Sequence, residues 1–403
     1  MSADKKRVLL LENIHPLARD LFIQEGCQVD LVKSAWTVDE LKAKLKNYDV
    51  LGIRSKTQIT SDVIEHAQHL LAVGCFCVGT NQVDLTKANQ SGLPVFNAPF
   101  SNTRSVAEMV IGEIVMLSRQ IGQRNIEMHQ GIWNKKSDQC YEVRGKTLGI
   151  VGYGNIGSQV SYLAEGMGMR VIFYDIASKL PFGNAKPFPA LTDLLKESDI
   201  VTFHVPETQY THLMMGPEEI KMMKKGSFII NASRGRVVNI EALTEALKSG
   251  HIGGAAIDVY PVEPESNTKE FRTSLQNLPN TVLTPHIGGA TEEAQGNIGR
   301  EVASLLISFL REGSTRMSVN FPQIDLTKDP KHHRLINTHR NVPGVLKDIN
   351  RIVSESGANI QAQALTTDAH IGYLIIDLDK PVTAEILKSI DSLKTSIRTR
   401  VVA

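Results

Sequence analysis

The chain has 403 residues, which is too long for one typical hydrophobic core, so we expect two or three domains. Its charges nearly balance at a formal net charge of +1, which removes any bulk electrostatic reason to expect a nucleic acid or an anionic membrane as a partner. No cysteine forms a Cys-x-x-Cys pair, and no apolar run is long enough for a signal peptide or a membrane span. We therefore expect a cytoplasmic protein with free thiols and without a metal site.

The first hundred residues alternate between predicted strands and predicted helices. The strands are expected at 8–11, 50–53, 71–75 and 95–97, and the helices at 16–24, 37–46, 61–67 and 84–90. Such alternation predicts a parallel, doubly wound sheet. Because these elements precede the glycine-rich motif at 152–157, we expect them to form a separate lobe.

The loop Arg54-Ser55-Lys56-Thr57 follows the predicted strand at 50–53. Ligands bind at the carboxyl ends of parallel strands in such folds, and an arginine holds a phosphate or a carboxylate through two hydrogen bonds. The loop therefore fits an anion site, but an ordinary solvated polar loop explains the same residues equally well.

A long helix is predicted from Asn102 to about Gln120. Ser105 and Glu108 have the Ser-x-x-Glu spacing, which fits a capping box at its start. In the less regular stretch that follows, Trp133 is either an anchor of an interface or a locally packed aromatic side chain.

The motif at 152–157 (GYGNIG) has the Gly-x-Gly-x-x-Gly spacing and lies between two predicted strands, 148–151 and 171–174. Gly152 permits a tight turn, Gly154 lets the backbone approach a pyrophosphate, and Gly157 lets helix and strand pack closely. The N-terminus of the following helix offers free N–H groups to the phosphates. The pattern predicts a dinucleotide site, and the plainer alternative is a glycine-rich turn in an ordinary α/β protein.

Asp175 stands at the end of the second of these strands, about twenty residues after the motif. Its carboxylate can accept hydrogen bonds from both ribose hydroxyls, and it would repel a 2′-phosphate. No arginine follows closely, so the sequence favours NAD over NADP.

The alternation resumes after Asp175. Strands are predicted at 200–203, 227–231, 255–257 and 282–283, and helices at 217–223, 240–248 and 292–310. Five polar residues lie at or just past the carboxyl ends of predicted strands, namely Asp175, Arg234, Asp258, Glu263 and His286. Because these ends share one edge of a parallel sheet, we expect the five side chains to converge above the glycine-rich motif.

These side chains supply what the oxidation of an alcohol by NAD requires. His286 is a base suited to neutral pH, and Glu263 would raise its pKa and fix the orientation of its ring. Arg234 supplies a cation for a substrate carboxylate and polarises the carbonyl oxygen, while Asp258 orients the nicotinamide carboxamide. A single histidine is more often structural, so the interpretation rests on the set rather than on His286 alone.

The last part of the chain has a different pattern. After a predicted linker at 321–331, strands are expected at 335–338, 360–366, 373–378 and 396–402, and helices at 343–357 and 383–393. The order β-α-β-β-α-β predicts a small, independent domain with the ferredoxin-like fold.

Three runs in the second half of the chain resemble the motifs of the D-isomer-specific 2-hydroxyacid dehydrogenases: 231–235 (NASRG), 258–264 (DVYPVEP) and 284–289 (TPHIGG). Further runs at 74–81, 96–108 and 341–346 match the same family, so the resemblance covers nearly the whole chain. It implies an α/β protein in which a Rossmann-type NAD-binding domain (102–289) is inserted in a flavodoxin-like substrate domain (1–101 and 290–320). An ACT domain at 332–403 follows the linker.

The resemblance also implies the roles of individual residues. The catalytic residues would be Arg234, Glu263 and His286. The cofactor contacts would be Gly152, Gly154, Asn155, Ile156, Gly157, Asp175, Ala232, Ser233, Asp258, Gly288 and Gly289.

Within the family, the chain is most similar to the branch that oxidises 3-phospho-D-glycerate to 3-phosphooxypyruvate in the first step of L-serine synthesis. In that branch, Arg54, Ser55 and Asn102 would hold the phosphate and the carboxylate of the substrate. The ACT domain would bind L-serine as a feedback inhibitor between paired copies, through His339, Asn341 and Asn359. The resemblance further implies a homotetramer.

Two other functions fit the same residues. The chemistry could serve another D-2-hydroxyacid, such as 2-hydroxyglutarate or D-lactate. The protein could also be an NADH-sensing regulator without turnover, although the ACT domain and the near-neutral charge argue against it.

Overall fold

A computed structural model gives the structure of residues 5–264 and 268–402, so the outermost residues of the predicted first and last domains lie outside the described part. The chain forms two compact units. The first contains the residues up to Ser101 together with those from Gln295 onward, and the second contains Asn102–Ala294.

The first unit contains a five-stranded parallel sheet in the order β2-β1-β3-β4-β5. Its strands are β1 (Arg7–Leu10), β2 (Gln28–Leu31), β3 (Val50–Ile53), β4 (Ala72–Cys75) and β5 (Val95–Asn97). The helices between them are α1 (Pro16–Gln24), α2 (Val38–Lys44), α3 (Ser61–His66) and α4 (Leu85–Gln90). This is the strand order of flavodoxin-like folds, which confirms the predicted fold.

The second unit contains a seven-stranded parallel sheet in the order β12-β11-β10-β9-β6-β7-β8. The strands are β6 (Thr147–Val151), β7 (Arg170–Tyr174), β8 (Lys186–Pro187), β9 (Ile200–Phe203), β10 (Ser227–Asn231), β11 (Ile252–Ile257) and β12 (Thr281–Leu283). The helices are α5 (Thr103–Arg119), α6 (Ile121–His129), α7 (Asn155–Gly166), α8 (Leu191–Glu197), α9 (Pro217–Met222) and α10 (Ile240–Lys248). The sheet is of the Rossmann type, as predicted.

The predicted capping box on α5 is wrong. The helix begins at Thr103, so Ser105 and Glu108 lie inside it. The Ser105 hydroxyl is 2.8 Å from that of Thr291, and the Arg104 Nε donates to Glu108 Oε1 at 2.6 Å. Both side chains therefore have partners other than the start of the helix.

Helix α11 (Glu292–Glu312) begins in the last residues of the second unit and continues into the first. The C-terminal sheet follows in the order β14-β15-β13-β16 and is antiparallel throughout. Its elements are β13 (His333–Arg340), α12 (Val345–Glu355), β14 (Ile360–Thr367), β15 (Ile371–Leu378), α13 (Ala384–Asp391) and β16 (Ser396–Val402). This order confirms the ferredoxin-like fold.

The C-terminal sheet packs against the rest of the first unit. Ile336 and Tyr373 share an apolar core with Phe96 and Phe309. Arg334, 0% exposed, donates to both carboxylate oxygens of Asp377 and to the Glu312 carbonyl at the end of α11. A cation at this position complements the partial negative charge of the helix C-terminus.

Candidate active site

The structure shows why each of the three positions in the 152–157 motif is a glycine. Gly152 has φ +92°, and a Cβ there would collide with the His204 carbonyl. A Cβ on Gly157 would collide with the Gly152 carbonyl, whereas one on Gly154 would meet open space. The turn is therefore tight on its inner side and open at Gly154, where a ligand can approach the backbone.

Helix α7 starts at Asn155 directly after this turn. Gly154 is its N-cap, and no side chain caps it. The first N–H groups of a helix have no partner within the helix, and they carry its partial positive charge. The backbone at Asn155 and Ile156 is thus available to a pyrophosphate, and these residues fit the phosphate end of NAD.

Asp175 is fixed beside the same turn. Its Oδ2 accepts a hydrogen bond from the Tyr153 N–H at 2.8 Å, and its Oδ1 accepts one from the Ala177 N–H at 2.9 Å. Strands β6 and β7 are neighbours, so this carboxylate ties the end of one strand to the loop after the next. An ionised carboxylate has about four acceptor positions, which leaves two for ribose hydroxyls.

The loop after β10 is organised by Asn231. Its Oδ1 accepts hydrogen bonds from the N–H and the hydroxyl of Ser233, and its Nδ2 donates to the Arg234 carbonyl at 2.9 Å. A Cβ on Gly235 would collide with the backbone of Tyr260. Gly235 therefore lets this loop, which carries Ala232 and Arg234, touch the loop after β11.

Glu263 and His286 form a hydrogen-bonded pair at this edge of the sheet. The distance between His286 Nδ1 and Glu263 Oε2 is 2.7 Å, and the other oxygen of Glu263 accepts the Tyr260 N–H at 3.0 Å. An ionised carboxylate only accepts, so the Nδ1 carries the hydrogen and Nε2 is left for a substrate. His286 has φ +55°, a conformation that is uncommon for residues other than glycine.

The pair shifts the pKa of both partners. The hydrogen bond with Glu263 raises the pKa of His286, against the opposing effects of burial and of the Arg234 charge. Burial would raise the pKa of Glu263, but the hydrogen bonds from His286 and the Tyr260 N–H outweigh it and hold the pKa below its ordinary value. The charge of Arg234 lowers the pKa of both partners.

Asp258 is 1% exposed and braces the loop after β12. Its Oδ1 accepts the Thr284 hydroxyl at 2.6 Å and the Ile287 N–H at 2.8 Å, and its Oδ2 accepts the Gly288 N–H at 2.9 Å. Its own carbonyl accepts the His286 N–H at 2.7 Å. The Asp258 backbone and side chain therefore set the position of His286.

The residues predicted to bind substrate lie in both units. Arg54 is half-buried and Ser55 exposed in the loop after β3 of the first unit. Asn102 is the N-cap of α5 in the second unit, where its side chain lies beside Gly289. Within each unit, these residues are at the carboxyl ends of parallel strands or next to the loop after β12.

The three residues predicted to bind an effector are not brought together within one chain. His339 and Asn341 lie at the end of β13, where Asn341 Nδ2 donates to the Asp368 carbonyl. Asn359 precedes β14, whose first residue Ile360 is level with the opposite end of β13 across β15. Seven residues of strand separate the two ends, roughly 20 Å.

The described residues contain no cluster of histidine, cysteine or acidic side chains suited to a metal ion. Among the same residues, no helix is both long and apolar enough to cross a membrane.

Comparison with known proteins identifies the relatives of this chain. D-3-phosphoglycerate dehydrogenase of Dictyostelium discoideum is 54% identical over 398 residues, which are 99% of this chain and 97% of that protein. The enzyme of the same name from Escherichia coli K12 is 49% identical over 405 residues, covering 99% and 98% of the two chains. The chain belongs to the D-3-phosphoglycerate dehydrogenase family.

Family models agree with this membership. Residues 111–288 match the NAD-binding domain of the D-isomer specific 2-hydroxyacid dehydrogenases, and residues 335–398 match an ACT domain like that of the AHAS small subunit. A solved D-isomer specific 2-hydroxyacid dehydrogenase from Lactobacillus delbrueckii ssp. bulgaricus, in its NAD complexed form, is 26% identical with a TM-score of 0.70, covering 78% of this chain and all of that one. The protein is thus an NAD-dependent dehydrogenase of the D-2-hydroxyacid class, and the predictions of enzyme class and cofactor are confirmed.

The sequence-based predictions missed one buried acid of the second unit. Glu113 on α5 is 3% exposed, and neither carboxyl oxygen has a hydrogen-bond partner in the part of the chain that the structure describes. Burial, together with the charge of Asp258, raises its pKa to about 8. The sequence did carry a signal, because Glu113 falls at helical spacing among Val106, Val110 and Leu117 on the apolar face of α5.

Proposed function

We propose that the enzyme oxidises 3-phospho-D-glycerate to 3-phosphooxypyruvate with NAD, which is the first step of L-serine synthesis. The observation that carries the proposal is the Glu263–His286 pair, at 2.7 Å, on the same sheet edge as the dinucleotide turn. The choice of substrate rests on the full-length relatives, which are named D-3-phosphoglycerate dehydrogenase.

In the proposed reaction, His286 Nε2 takes the proton of the substrate C2 hydroxyl. Glu263 holds the ring in the required tautomer and stabilises the imidazolium that forms. Arg234 binds the substrate carboxylate and polarises the developing carbonyl oxygen. Removal of the proton and of the hydride at C2 converts the alcohol to a ketone.

The cofactor fits the residues of the second unit. The uncapped N-terminus of α7 would receive the pyrophosphate, and the two remaining acceptor positions of Asp175 would receive the ribose hydroxyls. Ala232, Ser233, Asp258, Gly288 and Gly289 would face the nicotinamide side of the cofactor. NAD supplies the acceptor for the hydride.

Three polar residues outside the Glu263–His286 pair would select the substrate. Arg54 and Ser55 would hold the phosphate, and Asn102 would contribute to holding the carboxylate. A phosphate favours a cation with several donors, which an arginine beside a hydroxyl provides. The proposal also keeps the predicted division into a substrate domain (1–101 and 290–320), an NAD domain (102–289) and an ACT domain (332–403).

A substrate panel tests this function. We expect NADH formation with 3-phosphoglycerate when the keto product is removed, and much weaker reduction of pyruvate and 2-oxoglutarate. His286→Ala should lower kcat by about 10²- to 10⁴-fold, the contribution of a positioned acid or base, while NADH binding stays near wild type. Near-normal kcat in this variant would falsify the role of His286. Binding of NADH without turnover of any acid in the panel would point to a regulator instead.

L-serine is proposed as a feedback inhibitor that binds between two ACT domains. The separation of Asn341 from Asn359 along the sheet supports this, because a second copy can bring its Asn359 to the Asn341 of the first. Titration with L-serine should inhibit the wild type and leave Asn341→Ala unaffected. A wild type that does not respond removes the regulatory role.

We further propose that the protein is a homotetramer in the cytoplasm. Helix α6 buries none of its residues, although it carries Ile126 and Met128, and Trp133 just beyond it is 79% exposed. Such an apolar patch suits an interface between subunits. Sedimentation of the wild type beside Trp133→Ala measures the assembly, and equal masses would remove Trp133 from the interface.

A further inference from the structure

A buried acid, Glu12, accepts hydrogen bonds from the backbone of the loop proposed to bind the substrate phosphate. Glu12, at the end of β1, is 7% exposed and has φ +61°. Its Oε1 accepts hydrogen bonds from the Arg54 N–H at 3.0 Å and the Thr57 N–H at 2.9 Å, and its Oε2 accepts the Lys56 N–H at 3.0 Å. One carboxylate thus engages three of the four N–H groups of the loop 54–57.

Gln82 also bonds the backbone of this loop. This residue is 7% exposed, and its Nε2 donates to the Arg54 carbonyl at 2.7 Å. Arg54 therefore has its backbone N–H bonded to Glu12 and its backbone carbonyl bonded to Gln82. Both ends of the residue are fixed, and the direction in which its side chain leaves the loop is fixed with them.

These contacts decide how the loop can hold an anion. Strings of free backbone N–H groups can bind a phosphate directly, but here Glu12 occupies most of them. What remains for a ligand in the described structure is the Ser55 N–H together with the side chains, namely the guanidinium of Arg54, the hydroxyl of Ser55 and the ammonium of Lys56. The precision of their placement depends on the backbone beneath them.

We propose that Glu12 is a positioning residue for substrate binding, which fixes the backbone of the loop 54–57 so that Arg54, Ser55 and Lys56 present one arrangement of donors to the substrate phosphate. Glu12 does not touch the substrate. The inference rests on the proposed function, since it assigns the same loop to the phosphate.

Glu12→Gln is the first variant, because an amide keeps the shape but has only one oxygen. In either orientation of the amide, at least one of the three N–H groups faces an NH₂ group instead of an acceptor. We expect KM for 3-phosphoglycerate to rise about 5- to 20-fold, with kcat within about twofold and the Kd for NADH unchanged, because binding is lost equally in the ground and transition states. Glu65→Gln is the matched control, since Glu65 is exposed in the same unit and bonds only Lys87 in the described structure.

A double-mutant cycle with Arg54→Ala distinguishes positioning from general loss of stability. If Glu12 acts through the loop, Glu12→Gln adds little to KM once Arg54 has been replaced. Equal effects of Glu12→Gln in both backgrounds, or a lowered Tm with unchanged KM, overturn the inference. If Glu12→Gln does not fold, Gln82→Met removes one contact to the Arg54 carbonyl and should raise KM about threefold.

The cycle is measured with the best substrate of the panel, so the two proposals can fail separately. A panel in which 3-phosphoglycerate is not turned over removes the proposed function, while the cycle still decides whether Glu12 acts through Arg54. A normal KM in Glu12→Gln, beside a raised KM in Arg54→Ala, removes the role of Glu12 and leaves the function in place.

Discussion

The two parallel sheets use the same device at their carboxyl edges but apply it differently. In the second unit, Asp258 at the end of β11 collects donors from the loop after the neighbouring strand β12. In the first unit, Glu12 at the end of β1 collects donors from the loop after the neighbouring strand β3. In both sheets, a buried carboxylate that follows one strand fixes the loop that follows the adjacent strand.

The difference lies in what each carboxylate leaves for a ligand. The loop braced by Asp258 carries His286, whose own backbone N–H bonds to the Asp258 carbonyl, so the brace and the proposed base move together. The loop braced by Glu12 carries side chains that only bind. Loss of the Asp258 contacts should therefore affect the chemical step, and loss of the Glu12 contacts should affect substrate affinity.

Asp258→Asn tests this difference with the largest expected effect. In either orientation of the amide, the Ile287 N–H or the buried Gly288 N–H loses its acceptor, which costs about 1–3 kcal/mol. We expect kcat/KM to fall about 10- to 100-fold, with much of the loss in kcat. Steady-state kinetics beside Glu12→Gln measure the contrast. A loss confined to KM in both variants would contradict the division between the two sheets.

Much of the fold was predictable because it depends on local patterns. Apolar runs at strand positions and glycines at helix ends gave β3, β5, β9, β10, α1 and α10 with the bounds seen in the structure. Helices α6 and α8 and strands β2 and β8 were missed. Helix α6 buries none of its residues, and β2 is only partly buried at a sheet edge. Without a buried face there is no apolar periodicity to detect.

The contacts that position the site were less accessible. Glu12 appears in the sequence only as an acid after a strand, and its partners lie 42 to 45 residues later. The capping-box prediction failed for the same reason, because the Ser105 hydroxyl has a partner 186 residues away. Spacing rules describe neighbours along a helix, whereas these bonds depend on which strands are adjacent.

Glu113 offers a third case, because it is a buried carboxyl group that accepts no hydrogen bond from any residue the structure describes. Its pKa of about 8 in the folded protein exceeds the ordinary value of 4.5. The stability associated with its neutral form is therefore fully present below about pH 4.5 and is lost as the pH rises through 8. Glu113→Gln is neutral at every pH, so it should be more stable than the wild type by about 3–5 kcal/mol at pH 8 and by almost nothing at pH 4.5.

Chemical unfolding at several pH values measures this difference. Glu108→Gln is the control, because Glu108 is exposed on the same helix and pairs with Arg104. The advantage of Glu113→Gln should grow steadily with pH, while that of the control should stay flat. A constant difference across the range would mean that Glu113 is ionised in the folded protein and has a partner that compensates its charge.

Glu263→Gln probes the carboxylate that contacts the proposed base directly. The hydrogen bond with Glu263 raises the pKa of His286, whereas burial and Arg234 lower it. Loss of the carboxylate charge should therefore move the pKa down by about one unit. In the oxidation direction the neutral imidazole is the active form, so kcat/KM rises with pH through this pKa, and the inflection of the variant should lie at a lower pH than that of the wild type.

The reduction direction gives the opposite sign and completes the test. There the imidazolium is the active form, so the rate falls as pH rises through the same pKa, and Glu263→Gln should begin to lose activity at a lower pH. A structural role for Glu263 would lower the rate at all pH values without moving either profile. If both inflections stayed at the wild-type pH, the 2.7 Å contact would not tune the base, and the raised pKa of His286 would need another source.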